Sequence, residues 1–340
     1  MPEKLPPLER PEPEVFGSAS KEKQEAAKIS IMQRFGEKHL EQISKEAAAA
    51  LATIDRPKQP FEQEAIKTAN AITNNLLEKF GLPQFDVPER NLHIIPDKNY
   101  ATILDAAGSS AITIQDRQTI ILNAEKLTDP LVKASAIFHE IIHLKNFLRL
   151  EVTKDSHLIH RSGLRIEANE KKIKDIGDYS AFSGLNEAIV AEIEKRHFPE
   201  LIASNPFLKS EWEAFNSKKS NRIKEKILRE KSVTQDELLW INNSDGSYST
   251  FSYYEQRKVL NYVVQEIYED HKDRFDSKDA VMTEFFTAHF NGQISQIARL
   301  VGNVFGKEAF RILSMMDVPE NSARLVMAYL KKHRQEKTAP

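Results

Sequence analysis

The chain has 340 residues, 40% of them apolar and 29% charged, with a formal net charge of −2. This length suits two domains, or one large domain with a helical extension, and the near-balanced charge predicts neither nucleic acid nor an anionic membrane as partner. There is no cysteine, which excludes disulfides, thiolate nucleophiles and cysteine-type zinc sites.

Residues 1–19 carry Pro2, Pro6, Pro7, Pro11 and Pro13 among charged residues. They lack the apolar surface that would offset the entropy of ordering, which predicts a disordered arm. They also lack the apolar core of a secretory signal, and no window approaches the ~18 apolar residues needed to span a bilayer, so a cytoplasmic protein is expected. A helical segment is predicted within 20–60, over about 20–54 and including the alanine run at 47–50. The break Arg56-Pro57-Lys58-Gln59-Pro60 follows it. A helix over about 62–80 comes next and is stopped by Gly81-Leu82-Pro83, with glycine just past the end and proline beyond.

The hydrophobic period then changes. Leu92-His93-Ile94-Ile95 reads as a short strand closed by Pro96. Ala111-Ile112-Thr113-Ile114 and Thr119-Ile120-Ile121-Leu122 are β-branched runs, and Gln115-Asp116-Arg117-Gln118 joins them as a hairpin. Asp129-Pro130 opens a helix, aspartate as N-cap and proline at the first helical position. That helix is expected to run through His139 and His143 to about residue 150. Arg165-Ile166, behind Gly163, reads as a short strand, and a second helix is expected over about 184–196. Beyond Pro199 strand signals almost vanish, and helices are predicted near 207–231, 251–271, 277–290, 294–304 and 319–335. The basic run Lys331-Lys332-His333-Arg334 fits a solvated helix end. The order implies an α+β core over 61–200, followed by a mainly α-helical C-terminal domain over 201–340.

The segment Phe138-His139-Glu140-Ile141-Ile142-His143-Leu144 contains His-Glu-x-x-His. On a helix, positions i and i+4 share one face, so both imidazoles can reach one ion. Glu140 projects from the same turn, where it can take a proton from an activated water and pass it to a leaving group. The flanks Ala136, Ile137, Phe138, Ile141, Ile142 and Leu144 bury this helix on at least one face. Two histidines and a glutamate there need a partner, and a metal is the natural one. The competing reading is two histidines satisfied by ordinary hydrogen bonds.

A catalytic zinc needs a third protein ligand and one open position. The metzincin spacing fails, because Asn146 and Arg149 stand where glycine and histidine are required. His157 and His160 are read as surface residues of a turn. Further on, residues 183–193 read Ser-Gly-Leu-Asn-Glu-Ala-Ile-Val-Ala-Glu-Ile. This segment resembles the second-helix motif of thermolysin-type peptidases, where Asn-Glu-Ala-Ile supplies a glutamate ligand. It is also similar to the Asn-Glu-Gly segment of zinc aminopeptidases. The two motifs together resemble those of the gluzincin branch of zincin metallopeptidases, and the resemblance covers about a third of the chain.

That resemblance implies a zincin-like core with one Zn2+ per chain held by His139, His143 and Glu187. It also implies Glu140 as general base, Asn186 as a residue orienting a ligating histidine, and a peptide or protein substrate. Two departures stand out. The gap between His143 and Glu187 is longer than in thermolysin, and its inserted segment Arg161-Ser162-Gly163-Leu164 is expected to form a hairpin over the site. Where the motif has an aspartate supporting the first histidine, this chain has Ala191, so the role falls to Glu192 or to another carboxylate. Tyr179, His197, His271 and His289 are candidate oxyanion donors, with His289 also readable as a packed helix residue. The strand at 111–114 is the expected edge for pairing with an extended peptide. Two alternatives remain open: a non-catalytic interaction protein with a structural metal site, against which the intact Glu140 argues, and a zinc hydrolase of another amide.

Overall fold

The computed structural model describes residues 10–35, 54–104, 109–154, 157–167, 180–231, 233–242 and 244–338. The chain is of mixed α+β class. It divides into two units, each drawn from separate stretches. The first takes the described residues of Met1–Pro11, Ser30–Lys145 and Glu194–Ser252, and the second those of Glu12–Ile29, Asn146–Ile193 and Tyr253–Pro340. The boundary between Ile193 and Glu194 falls inside one helix, Ser183–Ser204, which also carries Pro199.

The first unit carries a three-stranded sheet in the order Leu92–Ile95, Thr119–Asn123, Ala111–Ile114. The outer pairs are parallel and antiparallel respectively, with Thr113 opposite Ile120. The hairpin at 111–123 turns through a 3-10 turn, Gln115–Arg117, and through Gln118 in the left-handed region at φ 51. Every residue of the central strand is buried, in keeping with the continuous apolar run Ile120-Ile121-Leu122 at its centre. The helix Pro60–Lys79 packs on the motif helix Pro130–Leu144. At the start of the motif helix, Asp129 Oδ1 accepts hydrogen bonds from Leu131 N at 2.8 Å and Val132 N at 3.1 Å, and Pro130 follows the cap.

The motif helix stops at Leu144 rather than near residue 150. Leu148–Val152 leaves the helix as a strand. Arg10 donates to the carbonyl of Leu144 at the helix end, where a cation also suits the helix dipole. The side chain of Arg10 is buried, 5.7 Å from the ring centres of both Phe35 and Phe85. Residues 10–19 therefore do not form the disordered arm expected for 1–19; residues 1–9 and the alanine run at 47–50 lie outside the described residues. The segment near 207–231 is two helices, Lys209–Phe215 and Lys218–Lys231. A further hairpin, Leu238–Ile241 with Tyr248–Thr250, was not expected.

The second unit holds a five-stranded sheet in the order Glu14–Phe16, Leu148–Val152, His157–Ser162, Arg165–Glu167, Ser180–Ala181. Glu14–Phe16 pairs parallel to Leu148–Val152, and all other pairs are antiparallel. His157 and His160 thus lie on a strand, not in a turn, with the His160 ring edge-on to Phe16 at 4.9 Å. The inserted segment forms a hairpin, Ser162 pairing with Arg165. The rest of this unit is mainly helical: it takes the first part of each of the helices Lys21–Phe35 and Ser183–Ser204, and the helices Tyr254–Asp270, Lys278–Asn291, Ile294–Phe305, Ala309–Ser314 and Glu320–Thr338. Among the described residues, no helix is long and apolar enough to cross a membrane.

Gly163 makes the tightest turn of that hairpin, at φ +57, and a Cβ there would lie 2.5 Å from Asn186 Oδ1 and 2.6 Å from His289 Nδ1. Backbone strain and this double clash act together, so Gly163→Ala is expected to lower stability by more than ~1 kcal/mol. Chemical denaturation checks this, and an unchanged midpoint would contradict the packing described.

Candidate metal centre

The motif helix is apolar nearly all round. Ile137, Phe138, Ile141, Ile142 and Leu144 are fully buried, and His139, Glu140 and His143 are only 7–8% exposed. Residues 139 and 143 stand one turn apart, which places their rings edge to face, with centroids 4.9 Å apart. Their Nε2 atoms are 3.2 Å apart. On the other side of the first ring, His139 Nδ1 lies 2.8 Å from Glu194 Oε2. Ser135, one turn before His139, donates to the other oxygen of Glu194. The carboxylate is thus held from both sides, and its natural partner is a protonated Nδ1. That tautomer leaves Nε2 of His139 as a lone-pair donor, facing His143.

Glu194 and Glu187 belong to one helix, Ser183–Ser204. Seven residues make close to two turns, so both project from nearly the same stripe, separated by about 10 Å of rise. His139, His143 and Glu187 each offer one ligand atom, and these atoms all lie within 4.8 Å of one another. The two histidines are buried and the glutamate half-buried, and the group could hold a metal ion. This brings together the three residues expected as ligands.

The residues expected to support them are distributed differently. Glu192 does not take the supporting role at His139: its carboxylate lies 3.9 Å from Arg257 Nη1 and accepts from Asn261 Nδ2 at 3.4 Å. The carboxylate that does so is Glu194, from a position three residues later than the thermolysin-type aspartate. Asn186 does not orient a ligating histidine. Its Oδ1 accepts from Leu164 N and lies opposite His289 Nδ1, each at 3.1 Å. His289 is fully buried and belongs to that knot. His197 Nδ1 lies 3.3 Å from Glu200 on its own helix, and His271 Nδ1 contacts the carbonyl of Ile267. None of these histidines enters the metal-capable group among the described residues. Tyr179 lies outside the described residues.

Two more residues meet the motif helix, one from the edge strand and one from the turn that follows it. Thr113 Oγ1 lies 2.7 Å from Glu140 Oε2, and Gln115 Nε2 donates to the carbonyl of His143 at 2.6 Å. The edge strand is therefore tied to the motif helix at the glutamate between the two histidines. Nearby, the phenol of Tyr100 is hydrogen-bonded to Ser109 at 2.8 Å. Burial, with the charge of Glu140 adding to it, pushes that phenol up to about 12. Sequence reasoning missed Glu194, Ser135, Thr113 and Gln115. For Glu194 a signal existed, since its seven-residue spacing from Glu187 places both on one face.

No protein-family model matches the chain, and comparisons with curated proteins and with solved structures give no significant match.

Proposed function

We propose that the chain is a zinc-dependent metallohydrolase of the two-histidine, one-glutamate type, acting on peptide bonds, with a zincin-like core. The observation that carries this reading is the convergence of His139, His143 and Glu187 on one point, with a carboxylate fixing His139 from behind. Two imidazoles and one carboxylate form a donor set typical of catalytic zinc. Nitrogens about 2.0–2.1 Å from a tetrahedral ion lie ~3.3 Å apart, close to the 3.2 Å between the two Nε2 atoms.

Bound there, zinc would supply Lewis acidity, polarising a carbonyl and making a water acidic near neutral pH. The remaining work belongs to the chain. Glu140 takes the proton of the attacking water and returns it to the leaving amine. Glu194 holds His139 in the coordinating tautomer and orientation. The strand Ala111–Ile114 is an edge strand of its sheet, so it offers backbone groups along which an extended peptide can pair.

The test is elemental analysis of protein purified without chelator, together with a casein digestion assay. One zinc per chain and chelator-sensitive hydrolysis are expected. Sub-stoichiometric metal with no uptake on adding zinc would overturn the reading.

A further inference from the structure

The carboxylate of Glu140 is held asymmetrically. Thr113 Oγ1 lies 2.7 Å from Oε2 and 3.1 Å from the Glu140 carbonyl oxygen. A hydroxyl has one proton to donate, and the shorter contact, to a charged acceptor, takes it. Oε1 receives no hydrogen bond from any described residue.

The donor itself is well fixed. Thr113 is β-branched, so its χ1 is stiff, and it sits in ladder register opposite Ile120. Two residues along, Gln115 fastens the same strand end to the carbonyl of His143. Strand and helix are therefore joined at Glu140 and again, just under one turn later, at His143. A carboxylate with both oxygens unbound would swing about χ3, whose potential is broad. Here one oxygen is pinned.

We infer that Thr113 is a positioning residue for Glu140: its hydroxyl immobilises Oε2 and leaves Oε1 as the oxygen that receives the proton. The catalytic part of this inference rests on the proposed hydrolase function; the positioning part does not. The edge strand thus has two roles, one along its backbone toward an extended substrate and one through Thr113 toward the base.

The experiment uses the full zinc-loaded chain with Thr113→Val, which keeps the shape and removes the donor, and Thr113→Ser, which keeps the donor. Thr113→Ala stands in for the valine variant if that does not fold. Crystal structures of wild type and Thr113→Ser should show one Glu140 carboxylate conformer, and Thr113→Val a rotated or divided one, with zinc content equal in all three. In peptide hydrolysis, Thr113→Val should lower kcat by about 10- to 100-fold, the range for a lost hydrogen bond to a charged group. KM should hold, and serine should restore most of the rate. An unmoved Glu140 in Thr113→Val, or a serine variant as impaired as the valine one, would overturn the inference. If the wild type hydrolyses no peptide, the functional reading fails, and the conformer comparison alone decides the role of Thr113.

Discussion

Glu140→Gln is expected to keep its zinc while hydrolysis of a casein or generic peptide pool falls by at least ~10²–10⁴, the usual contribution of a positioned proton-transfer group. Glutamine matches glutamate in shape and can still accept from Thr113, so the helix and its ties should survive. What it lacks is the basic oxygen. Glu140 is not a member of the group His139, His143 and Glu187 whose ligand atoms converge, so its charge is not needed to hold the ion. Metal content and specific activity measured on one preparation separate the outcomes. Loss of zinc in this variant would show a structural role for Glu140. Full activity with zinc retained would assign the base to another group.

Removing a ligand should give the opposite pattern. Glu187→Ala takes away one of three proposed protein ligands and is expected to weaken zinc binding by a large factor. Glu194→Gln leaves the ligands in place but replaces the charged partner of His139, and the usual effect of such an outer change is about 10- to 100-fold. Glu192→Ala should fall below both, because Glu192 faces Arg257 and Asn261. Competition against a chromophoric chelator ranks the three. If Glu192→Ala proved the most damaging and Glu187→Ala nearly silent, the third ligand would have been placed more than one turn too early.

The parts of this molecule readable from sequence are those fixed by local chemistry. The strands Leu92–Ile95, Ala111–Ile114 and Thr119–Asn123 follow from short β-branched runs with turn residues between them. The start of the motif helix follows from Asp129 and Pro130, which satisfy its first amides whatever packs around it. Its end does not, because Leu144, Phe147 and Leu148 continue a helical spacing. The chain leaves that spacing through distant backbone partners: Phe147 N donates to His289 O, and Gly163 N to Phe147 O. Asn186 shows the same limit inside a motif. Its neighbours in sequence suggested service to a ligating histidine, yet its partner is His289, 103 residues away. Arg10 was unreadable for a related reason, since nothing in a proline-rich stretch announces that one guanidinium fits between two phenylalanines. The mixed α+β class and the three converging residues were legible; the residues that hold them in place were set by tertiary contacts.

The seat of Arg10 also bears on the order in which the chain can assemble. Arg10 and the carbonyl it reaches, that of Leu144, are 134 residues apart. At synthesis rates of about 5–20 residues per second, roughly 7 to 27 s separate the appearance of the two on the ribosome. Throughout that interval Arg10 has no helix end to bind, so this contact forms late in synthesis, after its partners Phe35 and Phe85 have appeared. Contacts of such long sequence separation also slow folding. Arg10→Ala is accordingly expected to speed the slowest refolding phase of the full chain, which stopped-flow refolding checks.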